Sequence, residues 1–373
     1  MKIAIATKSM TLGYGIGEIA SIISKELLKM GYDVTIFTNE FNFPLNNSRV
    51  NIRELQPFRL PFLDDYWQQH FLSDIRSISV FLKYLQKYDI LITCDPMHLV
   101  GATVKVRYRK PVIMYFFGVT PYNVLDSFKR KMEVFRQTLT WNSSFHFADY
   151  IMTNSKYTKN MLPKNLRKKA LVNYHGIEHL IGEKKAAEQF RKQLKVEGKK
   201  LILSIGRFST PYKGMREIAK IFATLQKKRD DITLLIVGGG NVPKDIANST
   251  SKKNVHILTN ISYDMLKLCL AASDIYCTAS KWEGFNIPLV AAQANQKPVV
   301  AFNVGAHPEV TVNGETGFLV EDSMEFIKRL EFLLDDDSLR MKMGEKAAKF
   351  ARKFTWQKSM NLIKLLIESI SRN

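Results

Sequence analysis

Short apolar runs alternate with helix-like segments along almost the whole chain. Apolar runs of four to eight residues bounded by polar ones are typical of buried strands. In the first half they are KIAIAT (2–7), DVTIFT (33–38), DILITC (89–94), PVIMYF (111–116) and DYIMTN (149–154). After a polar stretch come KLILSIG (200–206), ITLLIVG (232–238), VHILT (255–259), DIYCTA (274–279) and PVVAFN (298–303). Since helical patterns fill the intervals, we predict an α/β protein with two doubly wound parallel-sheet domains facing across a cleft.

The second series of strands marks the change from one predicted domain to the next. We place an N-terminal Rossmann-like domain at residues 1–178 and a C-terminal one at 179–353. Residues 354–373 have helical spacing and no strand after them, so we expect this helix to pack back on the N-terminal domain. ADYIMTNS (148–155) and SDIYCTAS (273–280) share one pattern of small, acidic, apolar and hydroxyl residues. We interpret them as corresponding strands of two similar domains.

Composition narrows the class of protein. With 46% hydrophobic residues in a chain of 373, substantial cores can form. No uninterrupted apolar stretch reaches membrane-spanning length, and the apolar part of MKIAIATKSM is too short for a signal peptide. Cys94, Cys269 and Cys277 are widely spread and show neither a disulfide framework nor zinc spacing. We therefore expect a cytoplasmic protein.

The net charge of +20 has a marked concentration in one region. Residues 100–170 contain fourteen Lys and Arg against three acidic residues, whereas residues 1–99 contain ten of each. Within SFKRKMEVFRQTL (127–139), apolar residues at helical spacing are flanked by cations, as in helices that lie on membranes. This predicts peripheral contact with an anionic membrane through residues 105–136. A solubilising surface, or an ordinary core helix, produces the same pattern.

Glycine is frequent between the first predicted strand and the first predicted helix. In TLGYGIGEIA (11–20), Gly15, Gly17 and Ala20 satisfy the dinucleotide pattern G-x-G-x-x-A. That fingerprint starts almost directly after its strand, whereas KSMTLGY follows Thr7 here. We favour instead a longer loop whose backbone N–H groups at Gly15 and Ile16 reach a ligand held across the cleft.

Charged residues follow two strands of the second series. GRFSTPYKG (206–214) places Arg207 just after a strand and Lys213 before a helix, which suits a diphosphate. KWEGFNIPLV (281–290) places Glu283 between a strand and a helix. In an open α/β sheet, the carboxyl ends of strands are where ligands bind.

Together these segments resemble the family-four retaining glycosyltransferases, which have the two-domain GT-B fold. The resemblance rests on YGIG (14–17), HGIE (175–178), GRFSTPYKG, NVHILTNIS (254–262), ASDIYCTASKWEGFNIPLVAAQA (272–294), NVGAHPEV (303–310), ETGFLV (315–320) and the closing helix at FTW (354–356). It implies that the second domain holds a nucleotide-diphosphate sugar, UDP- or GDP-linked, and that the acceptor, a glycan or a lipid-linked glycan, enters from the first.

The resemblance also implies roles for single residues. Arg207 and Lys213 would bind the diphosphate, and Glu283 would hydrogen-bond hydroxyls of the transferred sugar. No metal or other cofactor is implied, because side chains supply the positive charge. The expected donor-binding residues are Gly15, Ile16, Gly206, Gly239, Leu258, Gly284, Phe285, Asn286 and Ile287. The expected acceptor-side residues are Phe117, His98 and His146, with structural histidines as the alternative.

Three positions depart from the family pattern. A second glutamate, which normally holds the ribose, would fall at Ala291, and Phe117 stands where many relatives carry a histidine. Arg207 and Lys213 are also one residue farther apart than is commonest. These departures keep open a non-catalytic nucleotide-sugar binder or partner subunit. The basic charge also leaves a glycosyltransferase acting on nucleic acid, although we expect nucleic acid less than a glycan.

Overall fold

The computed structural model describes residues 1–11, 15–42, 50–56, 73–94, 96–249 and 254–372. Its internal contacts divide the chain into two compact units, which we call unit 1 and unit 2. Unit 1 comprises Met1–Tyr174 and Gln357–Asn373, and unit 2 comprises His175–Trp356. Unit 1 gives way to unit 2 after residue 174 and unit 2 ends at residue 356, close to the domain boundaries predicted at 178 and 353.

Unit 1 contains a parallel sheet of seven strands in the order β3-β2-β1-β4-β5-β6-β7. The strands are β1 (Lys2–Thr11), β2 (Asp33–Asn42), β3 (Asn51–Glu54), β4 (Ile90–Cys94), β5 (Val112–Phe116), β6 (Tyr150–Thr153) and β7 (Ala170–Val172). The helices are α1 (Gly15–Lys29), α2 (Ser73–Leu85), α3 (His98–Tyr108), α4 (Phe128–Phe145) and α5 (Lys156–Met161). The strand order reverses at β1, as in a doubly wound sheet.

Unit 2 repeats the arrangement with six parallel strands in the order β10-β9-β8-β11-β12-β13. Its strands are β8 (Lys200–Ile205), β9 (Ile232–Gly238), β10 (Val255–Thr259), β11 (Ile275–Thr278), β12 (Val299–Phe302) and β13 (Gly317–Val320). Its helices are α6 (Lys184–Gln193), α7 (Met215–Gln226), α8 (Lys244–Ser249), α9 (Tyr263–Ala272), α10 (Ile287–Ala294), α11 (His307–Val310), α12 (Ser323–Asp335) and α13 (Asp337–Ala351). Two parallel α/β domains are therefore confirmed.

The glycine-rich segment after β1 is shorter than predicted. β1 continues to Thr11 and α1 begins at Gly15, so the connection is limited to residues 12–14, which lie outside the described residues. A Cβ atom on Gly17 would lie 2.7 Å from the carbonyl oxygen of Ser9. Gly17 thus allows α1 to pack closely on β1.

The interpretation of residues 148–155 and 273–280 as corresponding strands is wrong. β11 lies beside the central strand β8, as β4 lies beside β1, whereas β6 lies two strands farther out. The two segments are alike because the second residue of each is an aspartate that accepts a hydrogen bond from the start of the neighbouring strand. Asp149 accepts from the N–H of Val112 at 2.8 Å, and Asp274 accepts from the N–H of Leu201 at 2.7 Å.

The closing helix, α14 (Trp356–Ser371), starts at the last residue of unit 2 and belongs to unit 1 from Gln357 onwards. In unit 1, the hydroxyl groups of Tyr150 and Ser369 lie 3.1 Å apart. In unit 2, the N–H of Trp356 donates to the Glu178 carboxylate at 2.9 Å. Gly176 makes this possible, since a Cβ atom there would lie 2.2 Å from the Trp356 nitrogen. Among the described residues, no helix is both long and apolar enough to cross a bilayer.

Candidate active site

The candidate site lies in unit 2, where the strand order reverses between β8 and β11. Helices after neighbouring strands pack on opposite faces at such a point, which leaves a crevice at the carboxyl ends of the strands. One loop, residues 206–214, leads from β8 to α7, and the other, residues 279–286, leads from β11 to α10.

Glycine holds these two loops together. Gly214 has φ +70°, and a Cβ atom there would lie 2.0 Å from the carbonyl oxygen of Ala279. Only glycine accommodates both this backbone conformation and this contact. The Lys281 N–H donates to the carbonyl of Tyr212 at 2.8 Å, so the loops are also joined through their backbones. This contact places Lys213 beside the β11 loop.

Lys213 and Glu283 form an ion pair in the crevice. The Lys213 Nζ atom lies 2.9 Å from each carboxylate oxygen of Glu283. The Glu283 side chain is 8% exposed and that of Lys213 is 22% exposed, so solvent screens the pair only partly. The Glu283 carbonyl accepts from the Ala306 N–H at 3.0 Å, and a Cβ atom on Gly305 would lie 2.2 Å from that carbonyl oxygen. The carboxylate is thus fixed through its backbone as well as through its charge.

Arg207 extends from the β8 loop above the end of β9. Its Cγ atom lies 3.7 Å from the position that a Cβ atom on Gly239 would occupy. The Gly206 N–H donates to Val237 at 3.0 Å, and the Phe208 N–H donates to Gly239 at 3.1 Å, which fixes the residues on either side. The predicted donor-binding glycines Gly206 and Gly239 therefore shape the backbone under Arg207.

Asn286 connects the Glu283 loop to α11. It has φ 66° and is buried, and its side-chain oxygen accepts from the Leu289 N–H at 3.2 Å, which caps α10. The Asn286 Nδ2 atom lies 2.8 Å from Nε2 of His307, whose Nδ1 lies 2.7 Å from the carbonyl oxygen of Phe302. Since that carbonyl can only accept, we assign the His307 proton to Nδ1, and Asn286 donates to Nε2. Burial lowers the pKa of His307, so the ring is neutral at pH 7.

The other donor-binding residues predicted in unit 2 have different surroundings. Gly284 is buried between Glu283 and Phe285, and Ile287, the first residue of α10, is half-buried. The Phe285 ring is buried and packs edge-on against His175 and Phe354, so the ring belongs to the core of unit 2. Leu258 lies half-buried on the edge strand β10.

The remaining predicted residues belong to unit 1. Gly15 is exposed and Ile16 half-buried at the start of α1. Phe117 follows β5, is 9% exposed, and stacks on Tyr115 with the ring centroids 5.5 Å apart.

Both predicted acceptor-side histidines lie in surroundings that do not fit that role. His98 is completely buried, with Nδ1 3.1 Å from the Thr93 hydroxyl and its ring against Phe145, so it is a structural histidine. His146 is exposed, but it follows the last residue of α4 and precedes β6. It therefore lies at the amino ends of the strands, opposite the edge where α/β sheets bind ligands.

Sequence reasoning missed His307 and the two glycines that clamp the site. His307 occurs in the segment NVGAHPEV, which carries part of the resemblance to the family. The available signal was a histidine that directly follows Gly-Ala and directly precedes Pro-Glu. Its hydrogen bond to Asn286 joins residues 21 positions apart, which local spacing does not reveal.

Two family profiles match the chain in succession. Residues 15–179 match the family described as Glycosyltransferase Family 4, and residues 185–350 match Glycosyl transferases group 1. The chain belongs to the family-four, group 1 glycosyltransferases. The family and the GT-B fold expected from the sequence are both confirmed.

Similar proteins agree with this membership. An uncharacterized glycosyltransferase of Methanocaldococcus jannaschii is 29% identical over 364 residues, which covers 91% of this chain and 90% of that protein. Sucrose-phosphate synthase from Thermosynechococcus elongatus aligns over 100% of this glycosyltransferase and 99% of its own chain, with a TM-score of 0.84 and 18% identity. Anabaena HepE in complex with UDP-glucose covers 100% of both chains with a TM-score of 0.80 and 17% identity. These two structures establish the fold alone.

Proposed function

We propose that this glycosyltransferase uses a UDP- or GDP-linked sugar as its donor, retains the anomeric configuration, and transfers the sugar to a glycan or lipid-linked acceptor. The observation that carries the proposal is the Lys213–Glu283 pair at the carboxyl ends of β8 and β11, with Arg207 on the same loop as Lys213. A carboxylate paired with a lysine, with an arginine on the lysine's loop, suits a ligand that joins sugar hydroxyls to a diphosphate. The UDP-glucose complex of HepE, a protein of the same fold, supports this class of donor.

The two cations would act on the leaving nucleotide. Arg207 makes forked hydrogen bonds to phosphate oxygens, and Lys213 adds a compact charge. As the bond between the anomeric carbon and the phosphate oxygen breaks, negative charge grows on the diphosphate. Positive groups already aimed at that charge lower the barrier, and one such group is worth about 10²–10³ in rate. Side chains supply this charge, so we propose that transfer needs no metal.

Glu283 would bind the sugar that is transferred. When the Lys213 ammonium turns to the diphosphate, both carboxylate oxygens become available to accept hydrogen bonds from sugar hydroxyls. Retention would follow if the acceptor oxygen attacks the face that the diphosphate leaves. The acceptor hydroxyl proton then passes to a phosphate oxygen while the new C–O bond forms.

Position 291 bears on how the nucleoside would be held. It is an alanine, completely buried in α10, so it lacks the carboxylate that the resemblance leads us to expect for the ribose. We propose that donor recognition depends correspondingly more on the diphosphate and the sugar. Free nucleoside should therefore bind far more weakly than the nucleoside diphosphate.

The proposal is tested by nucleotide release from a panel of UDP-, GDP- and ADP-sugars without acceptor, with and without EDTA. We expect slow release from one donor, unaffected by the chelator, and calorimetric binding of the matching diphosphate. Loss of release in EDTA would overturn metal independence. No binding and no release for any donor would instead favour a non-catalytic partner subunit. Once an acceptor is found, NMR of the product must show the donor's anomeric configuration.

A further inference from the structure

The two ends of α4 have different surroundings. Its C-terminal part is built into unit 1, where Trp141 and Phe145 are buried against Phe116. The preceding part carries exposed apolar side chains at Phe128, Met132, Phe135 and Leu139, which we call the α4 stripe. Their exposed fractions are 77%, 37%, 49% and 55%, respectively. The core-helix interpretation of this segment therefore fits only the last turns of α4.

The α4 stripe forms one continuous face. Successive members are separated by four, three and four residues, which places them on one side of a helix. The helix begins at the N-cap Ser127, whose hydroxyl accepts from the Arg130 N–H at 3.3 Å. Since α4 follows β5, its N-terminal end, and with it Phe128, lies toward the carboxyl edge of the unit 1 sheet. That edge is where α/β sheets bind ligands.

Positive charge borders the α4 stripe. Lys129 and Lys131 are exposed on either side of Arg130, which pairs with Asp126 at 3.3 Å. Arg136 follows Phe135, and the whole region 100–170 carries eleven more cations than anions. A second copy of this chain on the stripe would bring these charges together, which opposes self-association. Anionic headgroups complement the charge, while acyl chains cover the apolar groups.

We propose that the α4 stripe docks this protein onto an anionic membrane surface, with the stripe in the headgroup region and the flanking lysines on phosphates. This surface would hold unit 1 at the bilayer where a lipid-linked acceptor resides. The docking does not depend on the proposed donor chemistry, because the stripe lies in unit 1 and Lys213 and Glu283 lie in unit 2.

The test is flotation of the full chain with vesicles of phosphatidylcholine alone or with 30% phosphatidylglycerol added, at about 150 mM salt. We expect binding to the anionic vesicles only. The double variant Phe128→Ser/Phe135→Ser should partition at least about tenfold more weakly, because it removes most of the apolar contact. Lys129→Gln/Lys131→Gln should weaken binding by about 30-fold, since each of the two basic residues near the surface is worth about 1 kcal/mol.

Leu365→Ser is the matched control, since Leu365 is 62% exposed on α14 of the same unit. This variant should float like the wild type, and all variants should keep the wild-type melting temperature and donor hydrolysis. Flotation that is unchanged in the Phe128→Ser/Phe135→Ser variant would overturn the proposal. So would a dimer that the same variant dissociates, or salt-sensitive binding to duplex DNA with no binding to vesicles. Loss of donor hydrolysis alone would count against the proposed function and not against docking.

Discussion

At the scale of single residues, the Lys213–Glu283 pair contributes to the stability of unit 2. Removing the ammonium leaves a carboxylate that is only 8% exposed without its partner. Uncompensated buried charges destabilise by several kcal/mol, and partial exposure of Lys213 reduces this to about 2 kcal/mol. Lys213→Met should therefore lower the melting temperature by about 4–8 °C.

The double variant Lys213→Met/Glu283→Gln should recover most of that loss, since no unpaired charge remains. Lys228→Met is the control, because Lys228 pairs with Glu331 while 65% exposed, and it should shift the melting temperature by less than about 3 °C. Equal shifts of the melting temperature for Lys213→Met and Lys228→Met would contradict this prediction. They would mean that burial does not make the Lys213–Glu283 pair more important for stability than an exposed pair.

The stability of unit 2 should depend on pH because of its buried histidines. Burial lowers the pKa of His307, which faces Glu283 and Lys213, and it lowers the pKa of His175 to about 3. Unfolding returns both rings to an ordinary pKa of 6.5, so the unfolded chain takes up protons first as the pH falls. Their stabilisation is present above pH 6.5 and is lost below it, by at most about 1.4 kcal/mol per pH unit for each ring.

Melting temperature measured from pH 7 to pH 5 should therefore fall. His307→Gln keeps an acceptor for Asn286 but cannot take up a proton, so its curve should be shallower than that of the wild type. His146→Gln changes an exposed ring and should leave the slope unchanged. If the His307→Gln curve is parallel to the wild-type curve, His307 does not contribute to the acid sensitivity.

The candidate charged residues could be found from sequence, but their contact could not. Arg207, Lys213 and Glu283 each lie in a strand-to-helix connection, which local patterns locate well. The Lys213–Glu283 contact joins residues 70 positions apart and depends on the packing of Gly214 against Ala279. The acceptor-side role predicted for His98 does not fit its burial. The spacing of residues along the sequence does not distinguish a buried histidine from one that lines a surface.

At the scale of elements, the β8 loop depends on Gly214. An alanine there would place Cβ 2.0 Å from the Ala279 carbonyl oxygen and would hold φ at +70°. We expect Gly214→Ala to destabilise by more than about 3 kcal/mol and to abolish donor hydrolysis, since the loop that carries Lys213 must move.

Gly240→Ala provides the matched control for this prediction. Gly240 also has a positive φ, +88°, but nothing lies within 4 Å of the added Cβ. Gly240→Ala should therefore add only backbone strain and destabilise by about 1 kcal/mol. We expect this variant to keep its donor hydrolysis. The comparison is made by thermal unfolding and donor hydrolysis on the same preparations. Similar losses in the two variants would show that φ, and not the contact with Ala279, sets the requirement for glycine.

Apolar runs predicted most strands of both sheets, and the failures have physical causes. β3 was missed because it is a mostly exposed edge strand, β7 because it has only three residues, and β13 because its four residues follow a turn-rich segment. The false match between residues 148–155 and 273–280 arose because an aspartate that accepts from the N–H of a neighbouring strand recurs in this fold, at Asp89, Asp149 and Asp274. Which strands of the two sheets correspond is decided by the order of the strands in each sheet. That order is set by tertiary packing.

At the scale of the whole molecule, each unit carries its own parallel sheet and its own buried core. The basic excess at 100–170 belongs to unit 1, and Arg207 and Lys213 belong to unit 2. The sequence predicted the charge distribution directly, since charge is additive. It could not decide whether the apolar face of α4 is covered, because interfacial and core helices share one spacing.

The central claim is that Lys213 and Glu283 form the catalytic centre of a nucleotide-sugar glycosyltransferase. The most direct test is the rate of nucleotide release from the preferred donor by the wild type, Lys213→Ala, Glu283→Gln and Lys281→Ala. Lys281 is an exposed lysine two residues from Glu283 and serves as the control. We predict that Lys213→Ala and Glu283→Gln lower kcat by at least about 100-fold while remaining folded, and that Lys281→Ala retains wild-type activity. Wild-type rates in folded Lys213→Ala and Glu283→Gln would contradict the claim.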